Sequence, residues 1–392
     1  MATTDIFTET TQKEIRDEVR IVSGLTKIIA EGWKLDSWAA IQEMVRSGAA
    51  ARWIPVGTQL NVADSVYGTR VFDVVAHDFY KNPADEKAHT MALLSHDVLM
   101  NCCVDETEAL YAVSADVWPD GMPAGTYNFT LLAGYDTEYG GGKTYSFTTT
   151  QTVPVGGVLD LPWRYNTQVA SLKISSYADQ ATNTALESVS LSEAGDGTSL
   201  GTADGNSAHM NHSHCIRYGC NNWEDSAIRQ WLNSAGAKGT WWSPRCEFDR
   251  QYGQYSAYYN MHGHMYGLDP EFLAVLGEVD IVTLTNQVYN HGKANSTIVT
   301  TRDKFFLPSR VEMGCGEEGS GSAATGESVW PYYDGATETD RIKYNSGSAR
   351  YWWMRSPYYW SASHTRIFLP SGALSRISAY DANGAAAACV IM

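Results

Sequence analysis

Apolar residues recur at Ile15, Val19, Val22, Leu25 and Ile29, spacings of three and four that predict an amphipathic helix over residues 11–31. A second helix is predicted from the capping residues Asp36 and Ser37, with Trp38, Ile41 and Val45 on one face and an end near Gly48. The pattern then turns to strands. In TRVFDVVAHDFY, Val71, Asp73 and Val75 mark alternating positions between turn residues. From about Asp105 short β-type runs follow one another, GTYNFTLLAG, GGKTYSFTTTQTVPVGGVLDLPW, ASLKISSY and ALESVSLSE, and end in the Gly/Asp/Ser-rich DGTSLGTADGNS. This spacing predicts either a small sandwich of immunoglobulin-like type or an elaborated β insertion. Helical spacing returns over Asn222–Asn233, with Trp223, Ile228, Trp231 and Leu232 apolar, and again over Asp269–Leu276 behind an Asp-Pro-Glu start. The remainder to Met392 is aromatic, glycine-rich and irregular, and the stretch GCGEEGSGSAATGES has the composition of a flexible loop.

These segments predict a mixed α+β chain in four parts: a helical segment over 1–50, the first part of a domain over 51–104, a β-rich insertion over 105–203, and the second part of the domain over 204–392. A chain of 392 residues is long enough for more than one core. With 44% apolar and only 18% charged residues it is expected to fold. The formal charge of −16 opposes nucleic acid and anionic membrane surfaces as partners. The amino terminus has no basic start before an apolar run, and no stretch is apolar over the length of a bilayer, so neither a standard secretion signal nor membrane insertion is expected. The seven cysteines are odd in number and include no CxxC pair, which is the pattern of reduced thiols in a protein folded in a cytoplasm.

Several groups invite a chemical reading. Gly141-Gly142-Lys143-Thr144 resembles the end of a phosphate-binding loop, yet Thr137 stands where the motif needs glycine, and a hairpin turn is the better reading. His209, His212, His214 and Cys215 lie in a Ser/Asn/Gly-rich connection without a fourth ligand at a zinc spacing, and read as a solvated loop, as do His262 and His264. Glu317 and Glu318 read as a solvated charge run, and no GxSxG elbow is present. No catalytic residue, metal site or cofactor is expected.

The last stretch, RYWWMRSPYYWSASHTRIFLPSGALSRISAYDANGAAAACVIM, holds two kinds of position. Tyr351, Trp352, Trp353, Gly372, Gly384 and the run Ala385 to Ile391 have the character of scaffold, and a mixture of polar and aromatic residues lies between them. WWMRSP, LPSGAL and ANGAAAACVI resemble the framework of variable proteins of diversity-generating retroelements from gut phages and bacteria. Weaker resemblance runs upstream through SWAAIQEMVRSG, GTYNFTL, NNWEDSAIRQWLNS, EFLAVLGEV and KFFLPSR. The resemblance implies a C-type-lectin-like fold, of the kind shared with formylglycine-generating enzymes, with a variable region over about 350–392. It also implies that adenines of AAC or AAT codons are randomised there. Such codons cannot yield Lys, Glu, Gln, Met or Trp. Residues 357–382 contain no Lys, Glu, Gln or Met, where chain-wide frequencies would place about three.

By this resemblance the ligand-binding positions are Tyr358, Tyr359, Trp360, Ser361, Ser363, His364, Arg366, Ile367, Leu369, Ser375, Arg376, Ile377, Ser378, Tyr380 and Asp381. Trp360 is not reachable from the randomised codons and belongs to framework or to another codon. Tyr358, Tyr359, Trp360, His364, Arg366, Arg376 and Tyr380 carry the rigid contact area and hydrogen-bonding groups of a paratope. Alternate members of Ile367, Phe368 and Leu369 are expected to be buried, and Tyr358 to Trp360 have a rival reading as a continuation of the Trp352/Trp353 core strand. The implied function is non-enzymatic binding of a protein or glycan on a host or target surface. The implied place is a phage virion or, by another route, a cell surface, with a homo-oligomer compatible. Three rivals remain: a lectin of fixed sugar specificity, a structural virion protein whose aromatic face is a subunit interface, and, last, a formylglycine-generating type of oxidase, for which the cysteine spacing is wrong.

Overall fold

The computed structural model describes residues 37–106, 118–130, 144–155, 219–243, 261–287, 290, 294–318 and 325–392, with the short strand segments 111–112, 158–159, 173–177 and 192–193. The helix expected over 11–31 and the histidines at 209, 212 and 214 lie outside these residues.

Helix α1 (Trp38–Arg46) starts as its sequence requires: the Ser37 hydroxyl accepts from the Ala40 amide at 3.3 Å, and Trp38, Ile41, Met44 and Val45 are buried. Gly48 ends it at φ 78, where a Cβ would stand 2.7 Å from the His89 imidazole. A single turn, α2 (Ala50–Trp53), follows. Strands β1 (Gln59–Val62), β2 (Arg70–His77) and β3 (Met91–Ser95) then pair antiparallel in chain order, and β4 (Met100–Cys102) leaves for another sheet. The alternation expected of β2 is obscured because both of its faces are covered: Phe72 and Val74 are buried, and so are Asp73 and Val75. Asp73 is tolerated there because its carboxylate meets His96 Nδ1 at 2.9 Å and accepts from Gln59 at 3.2 Å.

The β-rich stretch forms two three-stranded sheets that draw only on their own residues. Strands β5 (Tyr111–Ala112), β8 (Val158–Leu159) and β10 (Ser192–Glu193) make one, in the order β10-β5-β8; β6 (Gly125–Thr130), β7 (Thr144–Thr149) and β9 (Lys173–Tyr177) make the other, in the order β7-β6-β9. Strands β6 and β7 pair antiparallel, and Gly141 to Lys143 lie outside the described residues. The chain comes back to the point where it left. The Asp105 carboxylate accepts from the amides of Cys220 and Ala227, both at 3.1 Å, which clasps the two ends of the excursion together.

The helix expected over Asn222–Asn233 is divided into a 3-10 turn (Trp223–Asp225) and α3 (Ala227–Leu232), because Ser226 is extended and Asp105 takes the amide that follows it. Helix α4 (Pro270–Val275) begins as its sequence implies, with the Asp269 carboxylate accepting from Glu271 N at 2.9 Å. The remaining strands are β11 (Leu276–Gly277), β12 (Val279–Leu284), β13 (Ile298–Asp303), β14 (Phe305–Phe306), β15 (Lys343–Asn345), β16 (Ser348–Arg350), β17 (Trp352–Pro357), β18 (His364–Phe368), β19 (Leu374–Ser378), β20 (Asn383–Ala385) and β21 (Ala388–Ile391).

Two sheets join the halves of the chain across the β-rich stretch. Strand β21 lies between β3 and β11 in the six-stranded sheet that β1 begins, and β4 pairs with β20 at the edge of the five-stranded sheet β19-β18-β17-β20-β4. The small residues of Ala385 to Cys389 suit this packing, and the run through Ile391 is no more than 2% exposed. The large volumes come from Trp223, Trp231, Trp330, Trp352 and Trp353, all buried. Their indole N–H groups do not go unpaired: Trp352 donates to Arg341 O at 2.9 Å and Trp353 to Cys102 O at 2.7 Å. The architecture is therefore mixed α+β.

Two expectations are corrected. Tyr351, taken as scaffold, has a 45% exposed side, and it contributes its carbonyl, which accepts from Gly384 N at 2.8 Å. His264 is not solvated: it is 2% exposed, wedged between Trp231 and Phe305, and its carbonyl accepts from Arg70 at 3.1 Å. Burial, reinforced by the Arg70 charge, holds its imidazole well below the usual histidine pKa.

Candidate functional site

Strand β17 stops at Pro357, and the chain makes a tight excursion before returning as β18. The excursion is closed by backbone bonds, Tyr358 N to His364 O at 2.8 Å and Ser361 N to Tyr358 O at 3.0 Å. It is also gripped from outside. Asn221, fully buried, donates its side-chain amide to Ser361 O at 2.7 Å and to His364 O at 2.8 Å. Its own oxygen accepts from Asn286 at 2.8 Å, and Asn222 donates to Asn290 at 2.7 Å, so four asparagines form a buried ladder behind the loop. The Gln287 amide donates to Tyr359 O at 2.9 Å. These grips fall on main-chain atoms, which every residue type supplies.

Ser361 and His364 are hydrogen-bonded at 2.9 Å through Oγ and Nδ1, a pairing that in an open site would resemble an activated nucleophile. Ser361 is instead fully buried, and its hydroxyl accepts from the amides of Ser363 and His364, both at 3.1 Å. It staples the turn.

Strands β18 and β19 form a hairpin whose register places His364 opposite Ser378, Arg366 opposite Arg376, and Ile367 opposite Ser375. Gly372 makes its turn possible: φ is 84, and a Cβ there would collide with the Glu338 carbonyl oxygen. Period-two alternation sends Arg366 and Arg376 to one face and Ile367 to the other. Both guanidinium groups lie over the Tyr358 ring, at 4.7 and 4.0 Å from its centroid, and Tyr358 is 5.6 Å from Trp360.

The fifteen expected positions are therefore divided by burial. Arg376 is exposed; Tyr358, Trp360, His364, Arg366, Leu369, Ser375, Ile377, Ser378, Tyr380 and Asp381 are half-buried. Tyr359, Ser361, Ser363 and Ile367 are buried, so their side chains pack rather than present themselves, for distinct reasons. Tyr359 turns inward and meets the Ser296 hydroxyl at 3.1 Å, Ser361 and Ser363 bond within the turn, and Ile367 joins the tryptophan core. The rival reading of Tyr358 to Trp360 as a continuation of the core strand holds for Tyr359 alone by burial, since β17 has already ended.

Behind this face lies a charged layer that local sequence did not reveal. Glu318 is 6% exposed and is clamped between Arg310 and Arg366, whose Nε donates to it at 2.9 Å, so it is not the solvated charge its neighbours implied. Deeper, Arg355 of β17 donates to both oxygens of Glu312, at 2.6 and 2.9 Å, and also pairs with Glu327, while Tyr80 donates to Glu312 at 2.5 Å. Burial works against the Arg355 charge, and Glu312 and Glu327 more than offset it, so its pKa is raised. Burial also pushes the Glu327 carboxyl up to about 7, opposed by Arg355 and assisted by Glu312. A small cavity of about 20 Å³ lies between Val282, Arg310, Glu317, Glu327 and the inward side of Tyr359. An arginine inside a strand as apolar as WWMRSP was the one signal for this layer, because such a charge needs a buried carboxylate.

Among the described residues no group of three His, Cys, Asp or Glu is placed to hold a metal ion. Cys102, Cys315 and Cys389 are free thiols. No helix among the described residues is long and apolar enough to cross a membrane. What the arrangement offers is a rigid, aromatic and cationic surface on a fixed backbone.

Residues 202–392 match the model of a family described as a domain of unknown function (DUF6273). The matched segment contains β17 to β21 and the asparagine ladder, and leaves out β1 to β4, which complete both sheets. No curated protein and no solved structure matches the chain.

Proposed function

We infer that this chain is a non-enzymatic binding protein that presents a retroelement-diversified face on a C-type-lectin-like scaffold, in a phage or prophage and on its virion. The observation that carries the reading is the separation of backbone from side chains at residues 358–381. The loop is held through the carbonyls of Tyr359, Ser361 and His364 by Asn221 and Gln287, which lie outside the variable stretch. Arg376 is exposed, and Tyr358, Trp360 and Arg366 are half-buried outside the tryptophan core. Substitution at an exposed position such as Arg376 changes stability by about 0.5 kcal/mol or less, so binding chemistry can vary there while the fold does not. The carboxy-terminal strand in the middle of a sheet, with its amino-terminal partner β3 beside it, also suits a lectin-like scaffold. On a virion, repeated copies would raise weak contacts to useful avidity.

The test is nucleotide sequencing of the locus across a population of its source. A near-identical repeat beside a reverse-transcriptase gene, with substitutions confined to positions of adenine in that repeat, is the expected result. Identical codons throughout 357–382 and no neighbouring repeat would overturn the reading.

A further inference from the structure

The display face carries an unusual charge arrangement for a protein of formal charge −16. Arg366 and Arg376 are directly opposed on neighbouring strands, a juxtaposition that is destabilising unless something offsets it. Glu318 neutralises Arg366 from behind, and the Tyr358 ring takes both guanidinium groups. Arg376 is left exposed, stacked at 4.0 Å on Tyr358 and, among the described residues, in no ion pair. A guanidinium resting 4.0 Å from a ring centroid has lost part of its rotamer freedom already, and its N–H fork suits a carboxylate.

Resting on the reading above, we propose that the display face of this chain binds an acidic protein surface, with an Asp or Glu carboxylate of the partner seated on Arg376 and apolar contact made by Tyr358 and Trp360. A protein is favoured over an acidic sugar by shape and composition. Four clefts among the described residues, of about 20 to 480 Å³, are lined by residues other than Tyr358, Arg366 and Arg376. Small ligands are taken in concave sites, whereas Tyr, Trp and Arg on an open face are the anchors of protein contacts. The net charge of −16 disfavours acidic partners overall, so a local cation also sets the orientation of docking.

The experiment is selection of binders to the purified full chain from a yeast-displayed library of small folded proteins. The binders are then titrated on the wild type and on the variants Arg376→Ala, Arg376→Lys and Trp360→Ala, with circular dichroism to establish that each variant is folded. The expected result is binders enriched in surface Asp and Glu, weakened about tenfold or more by Arg376→Ala, less by Arg376→Lys, and weakened as salt is raised from about 50 to about 500 mM. Binders without acidic enrichment that are lost with Trp360→Ala but indifferent to Arg376→Ala would overturn the acidic partner and leave the display reading standing. Binders indifferent to all three variants, or none recovered, would count against both. Sialyllactose bound in an Arg376-dependent way, and more tightly than any acidic binder, would overturn the proposal in favour of an acidic sugar.

Discussion

If the variable loop is held by its backbone, then removing the grip should cost far more than removing a displayed side chain, and Asn221 is where the two can be compared. Asn221→Ala deletes the donors to Ser361 O and His364 O and the acceptor for Asn286, three bonds of 2.7 to 2.8 Å in a site with no exposure at Asn221. Each buried group left without a partner costs about 1–3 kcal/mol. Because the loop is half-buried and water can reach part of it, about 3 kcal/mol is the expected total, well short of the sum of three full penalties. Arg376→Ala, by contrast, removes one stacked, exposed guanidinium and should cost no more than about 1 kcal/mol. The assay is urea denaturation of both variants beside the wild type, followed by hydrogen exchange. In Asn221→Ala the amides of Tyr358 and Ser361, which close the loop, should lose protection first. Equal stability of the two variants within about 1 kcal/mol, with loop protection unchanged, would refute the idea that the ladder holds the loop.

Two further outcomes follow from the layers beneath. Glu327 has a folded pKa of about 7 against an ordinary value of 4.5, so the folded chain binds its proton more tightly than the unfolded chain. Its contribution to stability is therefore greatest below the unfolded value and falls as pH rises from there to about 7, on the order of 3 kcal/mol in all. Urea midpoints of the wild type should fall across that window, and those of Glu327→Gln should fall less; parallel profiles would count against the assignment. Gly372→Ala should lower the melting temperature through a loss of about 2 kcal/mol or more, since it forces a left-handed backbone and a clash with Glu338 O together, and an unchanged melting curve would show that the turn relaxes freely.

Much of the scaffold was legible because its signals are local. The cap at Ser37, the Asp-Pro-Glu start before α4, and the apolar terminal run each depend on residues within a few positions of one another, and each is found where the pattern placed it. The positions proposed for display were chosen from the mixture of residue types between WWMRSP and ANGAAAACVI, a mixture that does not reveal their burial. Whether Tyr359 turns in or Tyr358 turns out is decided by Ser296 and by two arginines on β18 and β19, not by neighbours in sequence. The charged layer was illegible for the same reason. Glu318 sits among glycine and serine, and only its distance in space to Arg310 and Arg366 separates it from Glu317, which is exposed. The asparagines at 221, 222, 286 and 290 carry no periodicity, because each is placed by hydrogen bonds that span long separations in sequence.

The division between grip and display also limits how much variety this face can carry. Arg376 can be exchanged for most residues, since its side chain meets solvent, and Trp360 for fewer, since it is half-buried against Tyr358 and Tyr359. Ser361 cannot: its hydroxyl accepts two backbone amides in a space with no exposure, and a tyrosine or histidine there would have to push Asn221 aside. Ile367 is confined in another way, to apolar residues of similar volume, because it faces the tryptophan core from the back of the same hairpin. A randomising mechanism that reached all of these positions alike would lose part of its progeny to misfolding and keep the rest with Ser361 and Ile367 nearly unchanged. Diversity would then be concentrated on one face of β18 and β19 and on alternate residues of the loop, which is where a rigid sheet can present side chains to a partner without first paying to order them.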